Sequence, residues 1–169
     1  MSNRLQTGND VSGEDKITES DRRGVDGGGL AADIGLDEAE IDWRKEFTAF
    51  DADTAATLDG MSALFEDCAD ELVDEFYDHL TSHDRTVEIF GRSSKTVEQL
   101  KTTQRQYLLD LGQGEYGQDY FEGRARIGKL HDMLDLGPRV YLGAYSIYYR
   151  GLLSEIGEQA KENATAGDD

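Results

Sequence analysis

Apolar residues return every three or four positions along most of the chain, with polar residues filling the intervals. That spacing lays a stripe along a helix and does not give the strict alternation of a half-buried strand. The clearest case runs from Ser62 to Ser82, where Phe65, Cys68, Leu72, Phe76 and Leu80 form one stripe with Val73 and Tyr77 beside it. Glu66, Asp67, Asp70, Glu71, Asp74 and Asp78 fall on the other face. The same period predicts a helix from about Ser94 to Gly112, aligning Val97, Leu100, Gln104, Tyr107, Leu108 and Leu111. Another spans about Gln118 to Leu134, with Tyr120, Ile127, His131 and Leu134 on one side. Leu136-Gly137-Pro138 reads as a stop followed by a start, because glycine suits a left-handed helix end and proline a first helical turn. The helix after it, Pro138 to about Ile156, presents Tyr141, Ala144, Tyr145, Tyr148, Leu152 and Ile156. Upstream, a helix starting near Leu36-Asp37-Glu38 carries Ile41 and Trp43 and packs across the domain. A short helix covers about Asp53 to Met61, and Thr81 to Arg92 reads as a turn. The predicted fold class is all-α.

The ends read differently. Residues 1–30 hold Gly13, Gly24, Gly27, Gly28 and Gly29 among Ser, Asp, Asn and Arg, with few aliphatic residues, so this segment is expected to be a disordered tail. Residues 158–169 read as a second tail, leaving 31–157 as the single domain. With 169 residues, one core is the expectation, and 37% hydrophobic content is enough to build it. The lone Cys68 rules out an intramolecular disulfide and gives no sign of an oxidising compartment. No apolar run reaches the ~20 residues of a membrane span, and no secretory signal pattern opens the chain, so a cytoplasmic location is expected.

Charge changes the picture further. Lys and Arg number 17 against 36 Asp and Glu, a net charge of −19. Such a field repels nucleic-acid phosphates and anionic lipid, and no basic cluster offsets it, so neither nucleic acid nor membrane is an expected partner. Aspartate alone contributes 21 of the acids and lysine only six of the cations, a balance suited to a halophilic cytosol. Phosphate-cradling glycine loops, paired-cysteine metal spacings and a nucleophile elbow are all lacking, and the chain is read as no enzyme.

Three histidines remain as candidate chemistry. His79 and His83 share a helical face, a spacing that can hold a metal, although imidazoles at a helix end are more simply explained by the macrodipole. His131 lies on the apolar side of its helix between Ile127 and Leu134, with Gly128 one turn earlier leaving room for something flat. A lone histidine there is more often a satisfied core residue than a ligand. Tyr77, beside Phe76, needs a partner for its hydroxyl if it points inward, and Thr103, one turn after Leu100, is unremarkable alone.

Together these positions form a pattern. Asp74-Glu75-Phe76-Tyr77-Asp78-His79-Leu80 is followed by Ser94-Lys95-Thr96-Val97-Glu98-Gln99-Leu100-Lys101-Thr102-Thr103-Gln104. Then come Arg126-Ile127-Gly128-Lys129-Leu130-His131-Asp132 and Leu136-Gly137-Pro138-Arg139-Val140-Tyr141-Leu142-Gly143-Ala144-Tyr145. In this order the segments resemble the sensor-globin, protoglobin-like domain of globin-coupled sensors, most closely the haem-based aerotaxis transducers of halophilic archaea. The likeness runs from about Ala31 to Ile156.

The resemblance implies a globin-like helical sandwich that binds haem b. In it, His131 is the proximal iron ligand and Tyr77 is the distal hydrogen-bond donor to dioxygen or another diatomic gas. It further implies that Leu100 and Thr103 face the distal side and that Tyr141 lies near the proximal histidine, where an orienting contact to His131 is the expectation. Sensor globins continue into a final H helix and an output module, and the pattern here ends before both. A homodimer or a separate output module is therefore the expected partner. Two readings compete: a non-haem acidic helical adaptor whose aromatic stripes are only core, and a small metal protein built on His79 and His83.

Overall fold

A computed structural model describes residues 16–113 and 115–166. Among them are nine helices and no strand: α1 (Glu19–Arg23), α2 (Gly27–Asp33), α3 (Glu38–Phe47), α4 (Ala52–Gly60), α5 (Ser62–Thr81), α6 (Asp84–Gly91), α7 (Val97–Asp110), α8 (Gln118–Met133) and α9 (Pro138–Ala166). The all-α class predicted from the apolar period is the one observed.

The α5 helix is the centre. Its stripe is buried as the period requires, with Phe65, Cys68, Leu72, Val73, Phe76 and Tyr77 joining Leu108 of α7 and Ile147 and Tyr148 of α9 in the main core. Both α7 and α9 pack along it. Its acidic face is partly answered by α7: Lys101 Nζ lies 2.8 Å from Asp74, and Arg105 reaches Glu66 and Asp70 at 2.7 Å each. Close approach of α9 to α5 depends on Gly151, where a Cβ would collide with Leu72 Cδ2.

The N-terminal segment departs from the expectation. Residues 1–15 lie outside the described residues, but the rest of the expected tail contains α1 and α2. Thr18 and Asp21 form a reciprocal capping box on α1, and the Asp26 carboxylate accepts from Gly28 N at 3.1 Å to cap α2. Gly27, read as a source of flexibility, has a packing reason: a Cβ on it would sit 2.6 Å from the Glu122 carbonyl oxygen, so glycine lets α2 lie against α8. A second small core follows, made of Ala31, Leu36 and Ile41 with Phe121. As expected, α3 stays peripheral; its Trp43 is 54% exposed and stacks on Phe47.

Three local boundaries also move. The expected turn at Thr81 to Arg92 contains α6, nucleated where the buried Thr86 hydroxyl donates to the Leu80 and His83 carbonyls. Eight residues are too few for a period to announce a helix. After α8, the left-handed residue is Asp135 at φ 53°, not Gly137. Gly137 instead offers its carbonyl to Val140 N and Tyr141 N, opening α9. Finally, α9 runs on to Ala166, through most of the expected C-terminal tail.

Candidate functional site

A cavity of about 490 Å³ lies between α5, α7, α8 and α9, with α1 and the α6–α7 loop at its edge. All six residues singled out in sequence line it: Phe76 and Tyr77 from α5, Leu100 and Thr103 from α7, His131 from α8 and Tyr141 from α9. Its remaining walls are mainly apolar and aromatic, including Ile89, Phe90, Leu134, Val140 and Tyr148.

On the α8 side, the His131 imidazole makes no hydrogen bond to the described residues and contacts the Tyr141 ring, centroids 5.3 Å apart. Burial lowers its pKa, so the ring is neutral at pH 7 and keeps a nitrogen lone pair available. Tyr141 does not hold it by a hydrogen bond. One helical turn along α9, the Tyr145 hydroxyl takes up the Tyr141 hydroxyl at 3.0 Å and also bonds the Tyr107 hydroxyl of α7. Gly128 leaves no room in the cavity, because it lies on the exposed side of α8 and a Cβ there would meet nothing within 4 Å.

On the α5 side, Tyr77 is 5% exposed and its ring is held between Phe76 and Phe90, with centroids at 5.4 and 5.9 Å. Burial pushes its phenol pKa well above the ordinary value, so it stays protonated and able to donate. No described residue accepts that proton. Thr103 differs: its hydroxyl donates to the Gln99 carbonyl at 3.0 Å and accepts from Lys95 Nζ at 3.3 Å, so it is occupied within its own helix and loop.

Sequence reasoning missed several residues around the cavity. Tyr148 stacks on Phe76 at 4.6 Å, and its hydroxyl is buried without a hydrogen bond of normal geometry, although Gln104 is near enough to affect its ionisation. The tyrosine stripe of α9 was the available signal. Arg22, Lys95 and Arg126 also line the cavity, and nothing in their spacing announces it.

His79 and His83 lie outside the cavity, both exposed, with ring centroids 4.8 Å apart. They do not share a helix end: His79 closes α5, while His83 is the N-cap of α6 and makes no capping bond through its side chain. Among the described residues no group of three or more His, Cys, Asp and Glu side chains could hold a metal ion. None of the described helices is long and apolar enough to cross a membrane.

Helices stacked on both sides of a cavity, with an imidazole on one wall and a phenol on another that no described residue hydrogen-bonds, define a globin-like pocket domain. The chain belongs to the protoglobin family, whose sequence profile matches residues 37–168. It is also 54% identical over 158 residues to the heme-based aerotactic transducer HemAT of Halobacterium salinarum. That alignment covers 90% of this chain and 32% of the transducer, so the chain spans about a third of its relative's length. No solved structure matches the chain significantly.

Proposed function

We propose that this domain binds haem b through His131 as the proximal iron ligand and senses dioxygen with Tyr77 as the distal hydrogen-bond donor. One observation carries the reading: the cavity sets the half-buried His131 imidazole against the buried Tyr77 phenol, and neither side chain is hydrogen-bonded by a described residue. Two polar groups on facing walls of a largely apolar cavity are completed when a ligand fills it. The relative's name, a heme-based aerotactic transducer, supports the haem-binding part of this reading.

Each side chain has a task that follows from its surroundings. His131 supplies a neutral nitrogen, and the low polarity that lowers its pKa keeps protons from competing for that lone pair. A haem held by His131 would supply the iron at which a diatomic gas binds. Tyr77 offers an O–H to the outer atom of a polarised gas such as dioxygen. Phe76, Leu100, Phe90 and Tyr148 line the cavity and would exclude water from around a bound ligand. Thr103, already engaged, helps fix Lys95 at the rim.

Signalling is a change in what α5 contacts. If the Tyr77 hydroxyl is drawn to a polar gas, the torque acts on the helix that carries the main core, and the packing of α7 and α9 on α5 passes the bias outward. The recipient is a second copy or an output module, in a cytoplasmic setting of high salt suited to the net charge of −19. The role is that of a signal transducer rather than an enzyme. The test is absorption spectroscopy of the purified chain: a Soret band with distinct ferrous, oxy and carbonyl spectra is expected, lost in His131→Ala that retains its helical circular dichroism. A folded wild-type chain that takes up no haem would leave the acidic-adaptor reading in its place.

A further inference from the structure

The cavity has a polar edge as well as apolar walls. Where α1 meets the α6–α7 loop and α8, three cationic residues line it: Arg22, Lys95 and Arg126. Arg22 is the informative one. It is 6% exposed, Nη2 donates to Ser93 Oγ at 2.7 Å, and Nε is buried with no partner among the described residues. No acid among the described residues pairs with it; Glu19, on the same edge, lies 3.7 Å from Arg23 instead. A buried guanidinium without a carboxylate is an expensive arrangement, and the more so to leave uncorrected in a chain holding 36 acids.

Several contacts hold the group in place. Ile17 bridges to the α6–α7 loop, donating to the Arg92 carbonyl at 2.8 Å and accepting from Ser94 N at 3.1 Å. Arg126 Nη2 donates to the Arg22 carbonyl at 2.8 Å. The Ser93 oxygen accepts from both Arg22 and Lys95 N, at 2.7 and 3.1 Å, and its own proton is given to no described residue. A guanidinium N–H and a hydroxyl thus meet at one edge of a largely apolar cavity, which the Lys95 side chain also lines.

We propose that Arg22, with Ser93 and Lys95, forms a carboxylate site that takes an acidic side chain of the tetrapyrrole. This rests on the reading of the cavity as a porphyrin pocket, and it assigns the edge of that pocket to α1, which precedes the residues matched by the family profile. The planar Arg22 fork suits a carboxylate oxygen pair, and Ser93 adds a third donor. A charge-assisted hydrogen bond of this kind corresponds to about 10- to 150-fold in affinity.

The experiment uses the full-length apoprotein and metal-free protoporphyrin IX, compared with its dimethyl ester by fluorescence titration. Without iron, coordination by His131 does not contribute. Wild type is expected to prefer the diacid by about 10- to 150-fold, and Arg22→Met to lose most of that preference. Equal affinity of wild type for the two porphyrins, or an undiminished preference in Arg22→Met, overturns the assignment. Where Arg22→Met does not fold, Arg22→Lys is read instead: it keeps the charge but not the fork, so the preference is expected to fall several-fold, and an unchanged preference overturns the proposal. Failure of the haem reading shows separately, as iron porphyrin bound no more tightly than the metal-free form while the preference for the diacid persists. A wild-type chain that binds neither porphyrin would defeat both.

Discussion

Replacing Tyr77 by phenylalanine removes one hydroxyl and nothing else. The ring is 5% exposed and wedged between Phe76 and Phe90, so its packing survives and the cavity keeps its shape. Because no described residue accepts the hydroxyl proton, the substitution breaks no hydrogen bond within the protein. Its whole effect on ligands therefore falls on what the hydroxyl meets in the cavity. A hydrogen bond to the partly negative outer atom of dioxygen contributes about 1.5–3 kcal/mol, or about 10- to 150-fold. Carbon monoxide is less polarised and gains about 0.5 kcal/mol, roughly twofold. Stopped-flow displacement should thus show dioxygen leaving Tyr77→Phe at least about ten times faster, with carbon monoxide release nearly unchanged. Since burial keeps the phenol protonated far above neutrality, the wild-type rate should not vary with pH across the neutral range. Tyr148→Phe is the matched control, removing the other unsatisfied hydroxyl in the same cavity. It should leave gas release alone and raise the melting temperature, because a buried hydroxyl without a partner costs about 1–3 kcal/mol. Equal acceleration of both gases, or acceleration carried by Tyr148→Phe, would refute the role of Tyr77.

Three further outcomes are expected. Burial holds the His131 pKa below its ordinary 6.5, so between that lowered value and 6.5 the unfolded chain binds more protons than the folded one. Apoprotein stability should fall as pH drops through this window and be indifferent to this group above it; denaturant titrations of His131→Gln should lack that slope. In Gly27→Ala the new Cβ meets the Glu122 carbonyl oxygen at 2.6 Å, so α2 must lift from α8 at about 1–3 kcal/mol, and faster amide exchange in α2 would report it. With a net charge of −19, raising salt from ~0.1 M to ~1 M shortens the screening length from about 10 Å to about 3 Å. The melting temperature should rise accordingly, and a flat or falling response would show that self-repulsion is not what limits stability.

What could be read from sequence follows from how each residue is held. The α5 stripe was legible because a helix buried along most of its length must repeat its apolar positions, and Phe65 through Tyr77 do so. The six cavity residues were found through ordered motifs that set His131 and Tyr77 on different helices; periodicity by itself would have left both as core. The role of Gly128 was misread for a related reason: a glycine near a functional side chain says nothing about which face it occupies, and this one faces outward. Likewise the Tyr141 ring lies against His131, but its hydroxyl turns to Tyr145, a neighbour one turn away on the same helix.

The N-terminal segment failed to announce itself for a deeper physical reason. Its order comes from contacts made far along the chain, which no local period can express. Gly27 is needed because Glu122 is there, and Arg22 is buried because Ser93 and Arg126 receive it at separations of 71 and 104 residues. Composition treats glycine and charge as marks of disorder, since both ordinarily lower the gain from burial. Here Gly27 permits close packing of α2 on α8, and the arginine carries a positive charge that no described acid pairs with beside a largely apolar cavity. A ligand that is largely apolar but carries an acid would supply what both the walls and the edge lack. On that logic α1 is held least firmly when the cavity is empty and most firmly when an acidic porphyrin fills it, so hydrogen exchange in α1 should slow on binding the diacid and stay unchanged on binding its ester.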